Sequence, residues 1–128
     1  MSALGGTLVH VVDDDEDVRA GFTRLLRSAG LDVRAYASAA QFLDEVDNSA
    51  AGCILLDVTM PGITGPEALV RLKKRCNSLP VIIVSARDTE SVHKLVYALG
   101  ARMFLRKPVD DQALLDAINW VTTVGAEH

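Results

Sequence analysis

Short apolar runs alternate with helical segments along the chain, and this alternation constrains the fold more than any other feature. The first, third and fourth runs are almost entirely apolar, as expected of strands covered on both faces. Strands of this kind belong to parallel sheets, because the helices that connect them also cover them. The predicted strands are Leu8–Val12, Leu31–Tyr36, Cys53–Leu56, Val81–Val84 and Met103–Leu105.

Between these runs the apolar residues repeat with the period of an amphipathic helix. Val18, Phe22 and Leu25 share one helical face, for example. Thr64 and Glu67 are spaced as a capping box at the start of another helix. The pattern predicts an α/β fold of the (βα)5 type. Right-handed crossovers would give a doubly wound, parallel, five-stranded sheet with helices on both faces.

Length and composition fit one globular domain. A chain of 128 residues suits a single domain over residues 1–128, with a core over about 7–122 and frayed ends at 1–6 and 123–128. The net charge is −4, and no basic stripe indicates nucleic-acid binding by this domain. The apolar runs are too short to span a membrane, and no signal peptide is recognisable. We therefore expect a cytoplasmic protein without a membrane contact.

Chemically active residues follow four of the five predicted strands. Asp13 and Asp14 follow the first, Asp57 the third and Ser85 the fourth, while Lys107 comes two residues after the fifth. In a doubly wound sheet, ligands bind beyond the carboxyl ends of the strands. The sequence therefore predicts that three carboxylates, a hydroxyl and an ammonium group meet at one edge of the sheet.

This set of groups suits phosphoryl transfer with a hard cation. Carboxylate oxygens select ions such as Mg²⁺, which keeps waters as further ligands. The remaining Asp can act as a nucleophile, since aspartate forms acyl phosphates. Lys107 suits a phosphate oxygen as a point charge, and Ser85 can donate a hydrogen bond to another.

The motifs around these residues resemble the response regulator receiver domain of two-component signalling. The resemblance runs from about Leu8 to Val121. It is carried by VVDDD at 11–15, LLDVTMPG at 55–62, VIIVSA at 81–86 and FLRKP at 104–108. The segments 8–14 and 110–115 are most similar to receivers of the nitrogen-fixation regulator type, which carry a helix-turn-helix output domain. The resemblance implies a flavodoxin-like, CheY-like fold.

The resemblance also implies a role for each site residue. Asp57 would be the phosphoacceptor and Asp14 the main Mg²⁺ ligand, with Asp13 acting largely through a metal-bound water. The backbone carbonyl of Thr59 would complete the protein ligands. Lys107 would pair with the phosphoryl group. The domain would catalyse its own phosphorylation and slow autodephosphorylation, without being a metabolic enzyme.

Switching and partners follow from the same resemblance. Ser85 would turn toward the phosphoryl group and Phe104 would swing inward behind it, changing the face made by the fourth helix, the fifth strand and the fifth helix. That face would regulate an output domain or partner and could form a dimer on phosphorylation. The Lys107–Pro108 bond would be cis. Ser85 stands where Thr is frequent, so switching is expected to be less sharply coupled.

A sensor histidine kinase or a histidine phosphotransfer protein is the expected phosphoryl donor. Family resemblance suggests that it docks on Val18, Gly21, Pro108 and Val109. Val18 and Gly21 are three residues apart and so share a helix face. An aromatic residue often stands where Val109 does, so contacts typical of the family are in question at that position.

Other functions stay as alternatives with less support. An aspartate-nucleophile phosphatase would carry a second Asp where Thr59 stands, and a flavodoxin-like cofactor binder would need a Ser/Thr/Gly-rich loop after the first strand. A receiver-like interaction module that works without phosphorylation is the alternative that remains open.

The histidines and cysteines receive structural interpretations. His10 is expected in the core or on a sheet face, His93 on the exposed side of its helix, and Cys53 in the core without a disulfide to Cys76.

Overall fold

The computed structural model describes residues 7–46, 52–75 and 77–126 of the chain. Within them, five strands form a single sheet in which all neighbouring strands are parallel. The strands are β1 Leu8–Val12, β2 Asp32–Tyr36, β3 Gly52–Leu56, β4 Val81–Ser85 and β5 Met103–Arg106. Their spatial order is β2-β1-β3-β4-β5. The chain thus changes direction across the sheet at β1, and the crevice between the ends of β1 and β3 is the topological switch point.

Helices cover both faces of this sheet. Those in the described residues are α1 Glu16–Ser28, α2 Ala39–Glu45, α3 Gly65–Lys74, α4 Glu90–Ala98 and α5 Asp111–Ala126. Alternate strand residues enter two separate cores, because successive side chains point to opposite faces. Val11 packs in the core that α1 and α5 cover, and Ile54 in the core beneath α2, α3 and α4. The predicted (βα)5 fold with helices on both faces is confirmed.

Element boundaries differ slightly from the sequence prediction. Leu31 precedes β2 instead of opening it, while Gly52, Ser85 and Arg106 are added to β3, β4 and β5. Residues 123–126, predicted as part of a frayed end, continue α5 to Ala126, and their fraying stays a prediction. Residues 1–6, 127–128 and Cys76 lie outside the described residues.

Side-chain caps fix where the helices begin, as the sequence indicated. Thr64 accepts a hydrogen bond from the backbone N–H of Glu67 at 3.3 Å, and Asp110 accepts one from the N–H of Ala113 at 3.0 Å. These caps satisfy donors that have no partner inside the helix. Among the described residues, no helix combines the length and apolar character needed to cross a bilayer.

Candidate functional site

Three carboxylates converge at the carboxyl ends of β1 and β3. Asp13, Asp14 and Asp57 each offer a carboxylate oxygen, and these oxygens lie within 4.8 Å of one another. Backbone hydrogen bonds extend the sheet to the site, from Asp13 N–H to the Tyr36 carbonyl at 3.2 Å and from Asp57 N–H to the Val12 carbonyl at 3.1 Å. Asp13 and Asp57 are buried while Asp14 is exposed. The predicted cluster therefore forms, with Asp14 on its solvent side.

Lys107 joins this cluster from the end of β5. Its Nζ lies 2.6 Å from Oδ2 of Asp13 and 3.6 Å from Oδ2 of Asp57. Its backbone N–H donates to the carbonyl of Ser85 at 3.0 Å, which fixes the chain as it leaves β5. The Lys107–Pro108 peptide bond is cis, as the resemblance implied. One ammonium group thus faces two buried carboxylates.

Burial and neighbouring charges change the ionisation of the central pair. The pKa of Asp57 is raised, chiefly because burial disfavours its charge; Lys107 opposes the shift and Asp13 adds to it. Burial alone would lower the pKa of Lys107, but its hydrogen bond to Asp13 and the charge of Asp57 outweigh that effect and raise it. Lys107 therefore carries its charge at neutral pH.

Local hydrogen bonds hold the loop that carries the acidic pair. Oδ1 of Asp13 accepts from the N–H of Asp15 at 2.9 Å, and Asp15 in turn caps α1 by accepting from Asp17 N–H at 2.9 Å. Nη1 of Arg19 donates to the carbonyl of Asp13 at 2.8 Å. Arg19 was not predicted from the sequence, because its position in an amphipathic helix resembles that of any solvated basic residue.

Ser85 and Phe104 lie behind the cluster, on β4 and β5. Ser85 is buried, and its Oγ accepts from the N–H of Arg87 at 3.0 Å. Phe104 packs against the core under α4, and the ring of His93 stacks on it with centroids 3.9 Å apart. His93 was expected on the exposed side of α4, and its half-buried ring contacts Phe104 and Asp88 there. His10 is buried, as expected, and bonds the Tyr36 hydroxyl at 3.0 Å.

Gly65 is a second residue whose importance the sequence did not reveal. It opens α3 directly against the loop after β3, and its N–H donates to the Val58 carbonyl at 2.9 Å. A Cβ at this position would lie 2.4 Å from the carbonyl oxygen of Asp57. The absence of a side chain at Gly65 therefore sets the position of the Asp57 backbone.

An apolar groove of about 470 Å³ lies beside the acidic cluster. Val18, Gly21, Pro108 and Val109, the four residues predicted for docking, all line it. Lys107 lines the groove as well, so the groove reaches the charged site. Val18 and Gly21 lie far from Pro108 and Val109 in the sequence, and the structure brings them together.

The donor set fits a hard divalent cation. Three carboxylates offer oxygen ligands only, which is the chemistry that Mg²⁺ prefers. The exposed position of Asp14 leaves room for metal-bound waters. Thr59, whose carbonyl was predicted as a further ligand, follows Asp57 by two residues and is exposed.

A doubly wound parallel sheet carries the acidic cluster and a lysine at its switch point. The sequence profile of the response regulator receiver domain matches residues 9–119. The chain belongs to this family of two-component signalling domains.

Its relatives include transcriptional regulators. It is 43% identical over 110 residues to the transcriptional regulatory protein FixJ of Azorhizobium caulinodans, covering 86% of this chain and 52% of that protein. It is 40% identical over 119 residues to the transcriptional regulatory protein TdiR of Thauera aromatica, covering 93% and 52%. The chain thus spans about half the length of these relatives. The similarity confirms the expected likeness to regulators of the nitrogen-fixation type.

Solved structures show the same fold. The response regulator StyR superposes with a TM-score of 0.84 at 38% identity, over 96% of this chain and 62% of that one. A CheY-like receiver domain from Methanospirillum hungatei reaches a TM-score of 0.89 at 23% identity, covering 96% and 98%. This second similarity establishes the fold alone.

Proposed function

We propose that this domain is a phosphorylation-activated switch that accepts a phosphoryl group on Asp57 with the help of Mg²⁺. The observation that carries the proposal is the meeting of three carboxylates within 4.8 Å beside an ammonium group 3.6 Å from Asp57. The donor would be a sensor histidine kinase or a histidine phosphotransfer protein, in keeping with the family. The charged cluster is consistent with this use, because carboxylates this close together repel one another unless a cation neutralises part of their charge.

The metal would be held by Asp14, Asp57 and the backbone carbonyl of Thr59, with Asp13 acting through a bound water. Bound Mg²⁺ would neutralise charge on the phosphoryl oxygens as the group moves. The buried Asp13 keeps both carboxylate oxygens engaged, with the Asp15 N–H and with Lys107. Because its oxygens are already engaged, Asp13 is suited to contact the metal through a water, whereas the exposed Asp14 is suited to bind it directly.

The transfer forms one bond and breaks one bond. A carboxylate oxygen of Asp57 attacks phosphorus, and the bond from phosphorus to the donor histidine nitrogen breaks, leaving neutral histidine after proton uptake. Lys107 faces the place where the phosphoryl oxygens arrive and offsets their charge. Ser85 would give up its contact with Arg87 N–H and donate its hydroxyl to a phosphoryl oxygen. Later attack by water on phosphorus breaks its bond to the Asp57 oxygen, releases inorganic phosphate and restores the carboxylate, which is the slow autodephosphorylation.

Output would pass through the face made by α4, β5 and α5. Phe104 would move with Ser85 and change this face, biasing it between two arrangements. Two helices of this face carry exposed large apolar side chains, Tyr97 on α4 and Trp120 on α5, which suits contact with a partner, an output domain or a second copy. The transcriptional relatives favour regulation of transcription as the output.

The apolar groove beside the cluster suits the phosphoryl donor. It is lined by Val18, Gly21, Pro108 and Val109 and ends at Lys107, so a helix of the donor seated there would bring its histidine to Asp57. Apolar surface beside a charged site provides affinity, while the charged residues carry the chemistry.

The experiment is to treat the protein with acetyl phosphate and Mg²⁺ and to measure its intact mass. We expect one phosphoryl group, labile to hydroxylamine as an acyl phosphate should be, and none in Asp57→Ala. Persistent, Mg²⁺-independent labelling of Asp57→Ala would place the nucleophile elsewhere. A wild-type protein that takes up no phosphoryl group would favour the alternative, a receiver-like module that binds partners without phosphorylation.

A further inference from the structure

A cluster of side chains outside the acidic site ties the loop between β4 and α4 to both α4 and β5. Asp88 in this loop pairs with Nε2 of His93 in the first turns of α4. The same carboxylate lies 3.9 Å from Nε of Arg106 at the end of β5. His93 and Asp88 retain 35% and 34% of their side-chain exposure, so the pair is half-buried. One carboxylate therefore links three elements of the switching region.

The ring of His93 lies flat against Phe104. The two ring centroids are 3.9 Å apart and the planes differ by 27°. Phe104 also packs against the core beneath α4. Tyr97, one turn further along α4, is 6.4 Å from His93 and makes no comparable stack. A turn of Phe104 would therefore separate its ring from His93 unless the His93 side chain moved with it.

Ser85 connects to this cluster through the same loop. Its Oγ accepts from the N–H of Arg87, the residue directly before Asp88. A turn of Ser85 toward a phosphoryl group would release the Arg87 N–H and so disturb the segment that carries Asp88. A continuous set of contacts thus leads from Ser85 through Asp88 and His93 to Phe104.

We propose that Asp88 and His93 are positioning residues for Phe104, which make the aromatic ring and the β4–α4 loop change arrangement together. This inference rests on the proposed function, in which Phe104 responds to a phosphoryl group on Asp57. A half-exposed polar pair contributes little to overall stability. Loss of the pair should therefore leave unfolding almost unchanged while it weakens the response of Phe104.

The experiment uses ¹⁹F NMR of protein labelled with 4-fluorophenylalanine. The chain has only three phenylalanines, so three signals are expected, and Phe104→Leu identifies the relevant one. Spectra are recorded before and after addition of Mg²⁺ and beryllofluoride, a stable mimic of the aspartyl phosphoryl group. The variants are His93→Leu and Asp88→Asn. Glu90→Gln is the matched control, because it removes an exposed pair with Lys94, 3.1 Å long, on the same helix.

In the wild type we expect the Phe104 signal to move on addition of the mimic. In both variants the movement should fall to half or less, since the ring no longer follows the loop, and in the control it should be unchanged. A full movement in both variants, an equal loss in the control, or no movement in a wild type that is phosphorylated on Asp57 would overturn the inference. Intact mass after acetyl phosphate treatment separates the two proposals. An unmodified Asp57 overturns the proposed function and this inference with it, whereas a modified Asp57 with an unmoved Phe104 signal overturns the inference alone.

Discussion

Gly65→Ala is the substitution whose effect on the site follows most directly from the geometry. The added Cβ would lie 2.4 Å from the Asp57 carbonyl oxygen and 2.9 Å from Cα of Val58. Both neighbours are backbone atoms, so no flexible side chain can move aside. Opening the closer contact from 2.4 Å to 3.0 Å requires a shift of 0.6 Å between α3 and the loop that carries Asp57.

This shift has two measurable consequences. Overpacking of this kind costs about 1–3 kcal/mol, and the gain from replacing a helical glycine returns up to about 1 kcal/mol. We therefore expect the free energy of unfolding to fall by about 0–2 kcal/mol. Because misplacement of a reacting group by about 1 Å can cost ~100-fold in rate, phosphoryl uptake should slow by roughly tenfold.

Urea unfolding measures the first effect, and the rate of acetyl phosphate labelling, followed on a Phos-tag gel, measures the second. Glu67→Ala is the control for uptake, since its side chain is exposed in the same turn of α3. Gly21→Ala is the control for stability. A Cβ there meets nothing within 4 Å, so stability should rise by about 0.5–1 kcal/mol. Wild-type uptake together with wild-type stability in Gly65→Ala would refute the reasoning.

Four further predictions test the metal site, the docking groove, the decay of the phosphoryl group and the buried histidine. Asp14→Asn should raise the free energy of unfolding measured in urea with EDTA, because it removes one of the crowded charges. Mg²⁺ at ten times its dissociation constant should add about 1.4 kcal/mol to that free energy in the wild type and far less in the variant. Equal stabilisation of both proteins by Mg²⁺ would contradict the site. Val18→Lys should impair transfer from the cognate kinase and leave acetyl phosphate labelling intact, whereas loss of both would make Val18 a core residue only. Thr59→Arg and Ala86→Tyr should slow loss of the phosphoryl group, measured by gel after the donor is removed, because the larger side chains block the attacking water; unchanged decay would rule this out. Burial, assisted by a nearby arginine, lowers the pKa of His10 below its usual 6.5. Only the unfolded state then takes up this proton, so stability is lost as pH falls below about 6.5. In urea unfolding, His10→Gln should lose less stability than the wild type between pH 7.5 and 5, and an equal loss would refute the linkage.

The fold was predictable because buried parallel strands leave a strong signal in the sequence. Runs such as Val81–Val84 are apolar on both faces, and only helices on both sides of a sheet make such strands stable. The site was predictable for a related reason. Parallel strands end at one edge, so Asp13, Asp57 and Lys107 had to converge once the strands were assigned, although 94 residues separate Asp13 from Lys107.

The contacts that were missed depend on distances between elements, which periodicity does not encode. The helical pattern placed His93 away from the core, but it could not show that Phe104 and Asp88 of the β4–α4 loop contact its ring there. Gly65 looked like an ordinary residue at the start of a capped helix, since its close approach to Asp57 exists only in three dimensions. Boundary errors of one residue, as at Ser85, arise because strands end where pairing ends and not where apolar residues end.

The hydrogen bonds around the cluster bear on which aspartate would accept a phosphoryl group in the proposed function. Both carboxylate oxygens of Asp13 are engaged, one with the Asp15 N–H at 2.9 Å and the other with Lys107 at 2.6 Å. Attack by Asp13 would break contacts that also hold the β1–α1 loop. Asp57 lies 3.6 Å from the same ammonium group. Its pKa is raised because the effect of burial on its charge outweighs the opposing effect of Lys107. A desolvated carboxylate is the better nucleophile, and Lys107 stays anchored on Asp13 while facing any group that Asp57 receives. This division of contacts favours Asp57 as the acceptor and Asp13 as the residue that keeps Lys107 in place.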